Sequence, residues 1–504
     1  MPQIYIKFNG KIDRRSPQDE GDFSNPVLRW NWLARDGRLS KPPGHTAKIT
    51  GLSSIPRWMT RYQTLESGAN SPKTFVYTKD GTISLLNDQL STFSTVYGLA
   101  NPDAFPRSWL FKSVNQTYMF FVDGERLLSY DGNNANLFQI VNLVDSDGNS
   151  VRPIDVIEHK DRLCVISETS LFISKNLEPT VFDDATDSLE VIVGSGKGRN
   201  FAFGKIEDKL YIFNTEGIFV LDGDVISALA STFEVRLVEE RRIIAQRSVA
   251  KVEKAIVFLA DDYELWSWDG AETKMLSYEL KLKDFVNKYP EQLKKATAIY
   301  HNNYYKLSFV ETGDPEPNTE IWWDAFEDKI DIVKGRHVSC YMKTDPTIET
   351  EYLQFGQSNA NSIMQEGIGY DFNGTAIATR LRTRDITLEK GRNVRITAFY
   401  PQFIPTGNRI LTITYLLDGR SSNPSGANAS FGQNLQGEVI TLGMINITNQ
   451  AQASGRIRPK INYARGESIA FEILESTDGQ KSDFLGMRID YEPKEASKGV
   501  TIGA

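Results

Sequence analysis

Apolar residues two positions apart recur along the first three-quarters of the chain at Phe75/Tyr77, Tyr118/Phe120, Leu163/Val165, Leu210/Ile212, Ile256/Phe258, Tyr305/Leu307 and Leu353/Phe355. Each pair has the two-residue alternation of a half-buried strand. The successive intervals are 43, 45, 47, 46, 49 and 48 residues. In the first five units a second apolar position, at Leu85, Leu128, Phe172, Phe219 or Trp266, follows across a polar turn and predicts a hairpin. Asp80-Gly81, Asp123-Gly124 and Glu216-Gly217 mark those turns, Asp-Gly being favoured because both of its residues tolerate positive φ. A strand-rich unit of this length matches a propeller blade, whereas ankyrin and leucine-rich repeats are shorter and helical solenoids lack strands. The expectation is an all-β chain with a six- or seven-bladed β-propeller over residues 55–374.

Two regions break the rhythm. Leu282, Phe285, Val286 and Tyr289 fall at helical spacing before Pro290, which predicts a short inserted amphipathic helix ending at the proline. The plainer reading is a core-facing decoration between blades; the functional one is a contact surface for a neighbouring subunit, which makes Phe285 and Tyr289 interface candidates. Beyond residue 374 the strand segments 378–388, 394–403, 409–419, 437–448, 457–466, 467–475 and 484–493 predict an antiparallel β-sandwich over 375–504, folding as its own module. A Gly/Ser/Asn-rich loop, 421–437, and a polar tail from residue 495 are expected to be loosely ordered.

Residues 1–54 form the third unit, an arm and entry segment. Ile4, Ile6 and Phe8 alternate with Tyr5 and Lys7, and a polar leash from Lys11 to Pro26 could extend about 50 Å. An apolar tip on such a leash is expected to add a strand to a neighbouring subunit, which makes Ile4, Tyr5, Ile6 and Phe8 interface candidates. The alternative is a strand that closes the chain's own propeller.

Composition narrows the function classes. With 504 residues, 40% hydrophobic and 24% charged, the chain reads as two or three folded units. No apolar run reaches the length of a membrane span, and the first residues lack a secretion signal, so folding in a cytoplasm is expected. Lys plus Arg is 57 against 65 Asp plus Glu, a net charge of −8, which argues against tight nucleic-acid binding. Two cysteines, Cys164 and Cys340, exclude a disulfide framework and read as small buried hydrophobes.

The search for chemistry returns little. The four histidines, His45, His159, His301 and His337, stand in no metal-binding or hydrolase spacing, and His159 and His301 read as solvated turn residues. Gly194-Ser-Gly-Lys-Gly198 suggests a phosphate loop but lacks the required spacing and the helix that would follow. Asp145-Ser-Asp-Gly-Asn149 alternates like a calcium loop without its closing glutamate. Trp266, Trp268, Trp322 and Trp323 read as packing residues on outer blade strands. No catalysis, no cofactor and no bound metal are expected.

Several segments carry a family resemblance. Trp30-Asn31-Trp32-Leu33 leads into Gly37-Arg38-Leu39 and Pro43-Gly44; residues 206–220 form a hairpin; the 282–289 helix precedes Tyr305/Leu307 and Ile321-Trp322-Trp323-Asp324; and the chain's last strand holds Gly486-Met-Arg-Ile-Asp490. Taken together and in order, these resemble the tail-hub, or nozzle, proteins of short-tailed bacteriophages, including the packaged-DNA stabilisation proteins. The extension before Val27 departs from that family's compact start. The resemblance implies a virion tail protein assembled in the host cytoplasm. It implies a homo-hexameric ring below the portal and adaptor, with other tail proteins attached and DNA passing through without sequence-specific binding. A propeller lectin or receptor-binding protein is the alternative, and a glycosidase a more distant one; a lectin would repeat ligand residues from blade to blade, and these repeats share only strand and turn residues.

Overall fold

The computed structural model describes residues 2–16, 22–62, 72–87, 92–98, 104–113, 116–132, 138–184, 187–223, 234–344, 351–389, 394–404, 411–417, 429–430, 453–454, 465–466, 468–475, 481 and 483–493. Nearly all of its regular structure is strand. Seven antiparallel blades form a propeller, so the larger of the two expected blade numbers holds. Their innermost strands are Pro56–Tyr62, Arg107–Lys112, Asp155–His159, Asn200–Ile206, Ala250–Val252, Thr297–His301 and Val338–Lys343. Each touches the next, and the seventh touches the first, which closes the ring.

All seven apolar pairs read from the sequence lie on the second strand of a blade, for example Phe75 and Tyr77 on Lys73–Thr78, and Leu210 and Ile212 on Lys209–Asn214. That strand has sheet on both sides and neighbouring blades above and below, so it carries the most buried alternation. The five partner positions lie on the third strands; Phe75 faces Leu85, Val165 faces Phe172 and Ile212 faces Phe219. The tryptophans share those third strands rather than the outermost ones, with Trp268 and Trp322 fully buried.

Turn chemistry differs from expectation. In the Asp-Gly turns only the glycine takes positive φ. The Asp80 carboxylate instead accepts from the Thr82 amide at 3.2 Å and the Thr82 hydroxyl at 2.9 Å, an Asx-type closure. Paired positive φ occurs between first and second strands, at Lys160-Asp161 and Asn302-Asn303.

The boundaries expected at 54/55 and 374/375 do not follow the sheets. His45–Thr50 pairs with Ser362–Glu366 and supplies the fourth strand of blade seven, so the propeller closes with a strand from well inside the chain. Leu28–Trp30 joins the outer strand of blade six in parallel, Trp30 facing Ile332, and pairs on its other edge with Thr379–Arg382. One ten-stranded sheet therefore runs from blade six into the sandwich through Ser468–Glu475 and Leu411–Leu417. The opposing sheet is built on the long pair Val394–Ile404 and Asp483–Pro493. Leu33–Arg35 and Arg38–Ser40 extend it, and Gln3–Ile6 pairs with Asp483–Pro493. The expected strand at 437–448, most of that at 457–466, and the tail lie outside the described residues, as does the 421–437 loop apart from Ala429–Ser430, which pairs with Leu411–Leu417.

The expected free arm is corrected by this pairing. Ile4 faces Ile489, and Ile6 and Phe8 lie in the sandwich core with Trp32, Leu39, Phe399, Phe471, Phe484 and Met487. Burying these side chains in cis returns about 1.5 to 3 kcal/mol each, which a solvated tip would forgo. Gly486 is required where this strand crosses: at φ +148, a Cβ would sit 2.4 Å from the Ile6 carbonyl oxygen.

The inserted helix is also corrected. Leu282–Asp284 is a single 3-10 turn, and the one helical turn nearby, Pro290–Leu293, begins at the proline instead of ending there. Proline suits that first position because its missing N–H has no helical acceptor to lose.

Candidate functional site: the axial channel

The inner strands enclose a cavity of about 240 Å³ on the propeller axis, its wall including Trp58, Arg107, Trp109, Asp155, Thr297 and Tyr341. These side chains come from the first strands of blades one, two, three, six and seven. Arg107 and Asp155 pair bidentately at 3.1 and 3.3 Å. Asp155 also accepts the Phe203 amide at 2.9 Å, so one carboxylate joins blades two, three and four.

Arg247 lies beside this pair, in a position sequence reading passed over. It belongs to the 3-10 turn Gln246–Ser248 that precedes blade five. The turn is fastened on two sides: Gln246 Nε2 donates to the Ile154 carbonyl at 2.8 Å, and the Tyr305 hydroxyl donates to the Ser248 carbonyl at 2.6 Å. The guanidinium then donates to the carbonyls of Arg57 at 3.0 Å, Ser339 at 3.1 Å, Lys295 at 3.1 Å and Lys294 at 3.4 Å. Phe105 covers it, 4.4 Å from its ring centre. Burial, with Arg107 and Arg57 adding like-charge repulsion, lowers Arg247 to about 10, so it stays cationic at neutral pH. The available signal was the polar triplet Gln246-Arg247-Ser248 between the apolar residues Ile243-Ile244-Ala245 and Val249-Ala250.

A second buried polar cluster joins blades six and seven. Lys306 and Arg336 both pair with Glu366, Arg336 Nη2 at 2.6 Å, and Arg336 Nε lies 3.1 Å from Glu320, which also accepts the Tyr341 hydroxyl. Trp322 lies 3.9 Å beneath the Lys306 ammonium. Burial opposes ionisation of Glu366, but the two cations and their hydrogen bonds outweigh it and hold its carboxyl at about 2. Beside them His45 stacks on Phe372 at 4.8 Å; burial and Arg336 depress it to about 3, so it is neutral. The network balances two cations against two carboxylates, which suits a clasp at the ring's closing blade.

The remaining sequence candidates disperse. Tyr289 is 74% exposed and Tyr5 44%, while Phe285 is half-buried beneath Arg14, 4.6 Å from its ring centre. Ile6 and Phe8 are core residues of the sandwich and Ile4 packs against that core, so the structure does not gather the six expected interface residues into one surface. The phosphate-like loop is filled by the chain itself: Ser195 donates its amide at 3.0 Å, and its hydroxyl, to Glu216, and these bonds hold that carboxyl below its usual range. Asp145 turns inward onto the amides of Asp147 at 3.0 Å and Asn149 at 2.7 Å. His159 and His301, expected in solvent, are buried at the ends of first strands. Burial raises Cys164 to about 12 and Cys340 to about 11, leaving both as thiols at neutral pH. Among the described residues, no group of three or more His, Cys, Asp or Glu is placed to hold a metal ion, and no helix is long and apolar enough to cross a membrane.

No family model matches the chain, and no curated protein matches it.

Proposed function

We propose that the chain is a structural virion protein of a short-tailed phage, a tail-hub or nozzle subunit. In this reading six copies form the ring below the portal and adaptor through which the packaged genome is retained and then released. The observation that carries the reading is the role of the segment that resembles the family's entry motif. Trp30 joins blade six; the Asn31 side chain, on a residue at φ 55, donates to the Lys334 carbonyl at 3.2 Å and the Ala378 carbonyl at 2.7 Å; Trp32 enters the sandwich core. That segment fastens the propeller to the sandwich, as a subunit under the load of a pressurised genome requires.

Three blade edges give such a subunit a surface to offer. The outer strands of blades two, three and four end their sheets and expose Ile140, Ile192 and Leu237. In a seven-bladed ring blades two and three lie opposite blade six, and hence opposite the attached sandwich, a polarity suited to head-to-tail closure. A net charge of −8 per chain favours a conduit that does not trap DNA. Electron microscopy of the purified protein, alone and with portal rings, tests the proposal: closed six-membered rings are expected. A monomer that stays dispersed with portal and binds a glycan array would replace the hub reading with the lectin one.

A further inference from the structure

Arg247 separates the axial cavity from a smaller opening on one face of the propeller. That opening, about 40 Å³, is lined by Arg57, Lys79, Phe105, Arg247, Lys295 and Glu316, among others. Its charged residues sit at the start of a first strand (Arg57), just before one (Arg247, Lys295) or between second and third strands (Lys79, Glu316), positions that share one end of every blade. The lining therefore holds four cations and one carboxylate, in a chain whose net charge is −8.

The single carboxylate is engaged. Lys295 donates to Glu316 at 3.0 Å and to the Pro315 carbonyl at 2.7 Å. Lys79 lies in the exposed turn after Lys73–Thr78, and its ammonium has no acceptor among the described residues. Arg247 spends four N–H groups on backbone carbonyls, while its buried Nε–H, the fifth, has no acceptor among the described residues. A buried donor without an acceptor costs about 1 to 3 kcal/mol unless a ligand or water supplies one. Phe105 lies between two guanidinium groups, 5.0 Å from Arg57 and 4.4 Å from Arg247, and keeps both at the opening.

We propose that this mouth binds a small oxyanion of phosphate size. Its volume admits a few water-sized groups, which suits one tetrahedral anion and excludes a nucleoside. The anion accepts from Arg247 Nε and the Lys79 ammonium, offsets the surplus positive charge, and adds a bond between blades one and five at one end of the channel. This site does not depend on the hub reading; it would serve any propeller of this sequence.

Calorimetric titration of the full chain with inorganic phosphate, at ionic strength held constant with chloride, tests it. One phosphate per chain is expected, with a rise in melting temperature. Lys79→Ala is expected to weaken binding at least about fivefold, the size of one exposed charge contact. Lys48→Ala, on the outer strand of blade seven, should leave binding unchanged. Arg247→Met removes four backbone contacts and is expected to unfold part of the ring, so Lys79→Ala carries the test. Phosphate binding no tighter than chloride, or equal affinity in Lys79→Ala and the parent, overturns the site.

Discussion

Blades two to five and the seam joining blades six and seven to the sandwich hold together by different means. Each of the former is a four-stranded sheet of consecutive strands, packed through aliphatic and aromatic clusters such as Ile157, Leu171, Phe203, Leu210 and Ile212. The seam instead pairs segments hundreds of residues apart and buries whole ion pairs. Arg29 and Asp331 are both fully buried, as are Lys41 and Glu475, 3.0 Å apart, and Arg384 reaches Asp13 at 2.8 Å. Arg29 also donates to the Phe8 and Gly10 carbonyls, at 3.2 and 2.8 Å. Hydrophobic contact is non-directional, and short hairpin connections already fix which strands meet in blades two to five. Where distant strands must find one another, a buried charge accepts only its partner, and a wrong register leaves it stranded.

The comparison breaks most severely if the N-terminal strand is dispensable. Deleting residues 1–9 removes Ile6 and Phe8 from the sandwich core but spares Ile12 of the propeller core, and loss of sandwich folding is expected while the propeller persists. Limited proteolysis should release the C-terminal region first; a deletion variant that melts like the parent would refute the cis assignment. Next in size is Asp331→Leu, expected to cost about 3 to 5 kcal/mol because it strands Arg29. Adding Arg29→Met should recover part of that loss. Leu210→Ala, in the interior of blade four, should cost about 2 to 5 kcal/mol with no such partner effect. Urea unfolding of the four variants separates coupled from uncoupled sites.

Acid probes the seam through two groups of the clasp. His45 and Glu366 both have folded values below their unfolded ones, so the folded state binds fewer protons and stability falls as pH falls. The His45 contribution is lost between about pH 6.5 and 3, that of Glu366 between about pH 4.5 and 2. At pH 4 the His45 loss alone is on the order of 3 kcal/mol. Blades six and seven should therefore lose amide protection before blades two to five, and uniform exchange across the ring at pH 4 would contradict this. Gly486→Ala is expected to cost about 2 kcal/mol through the clash with Ile6 and the strained φ, read as a lower urea midpoint. The smallest effect is that of Tyr289→Ala, within about 0.5 kcal/mol in a melt, because the ring is 74% exposed. If Tyr289 contacts a neighbouring subunit, the same variant should lower the fraction of closed rings seen by microscopy.

Legibility followed locality. The second strand of every blade was readable because sheet and neighbouring blades bury it on both faces, leaving a periodic apolar mark. The 3-10 turn holding Arg247 leaves no such mark; its hydrogen bonds go to carbonyls 47 to 190 residues away, and nothing in Gln246-Arg-Ser248 specifies those partners. The apolar tip reads as a strand seeking an edge, and its alternation suits a neighbour, the propeller or the sandwich equally.

By itself, then, the sequence determined the all-β class, the blade period, the place of the hairpins and a second β unit after residue 374, since each is written in contacts a few residues apart. Tertiary structure alone decided that the ring has seven blades, that His45–Thr50 closes it, that Gln3–Ile6 completes the sandwich, and that four cations meet at one channel mouth. Those outcomes depend on which of several compatible edges and cavities lies within reach once the ring has closed, and reach is a property of the folded chain.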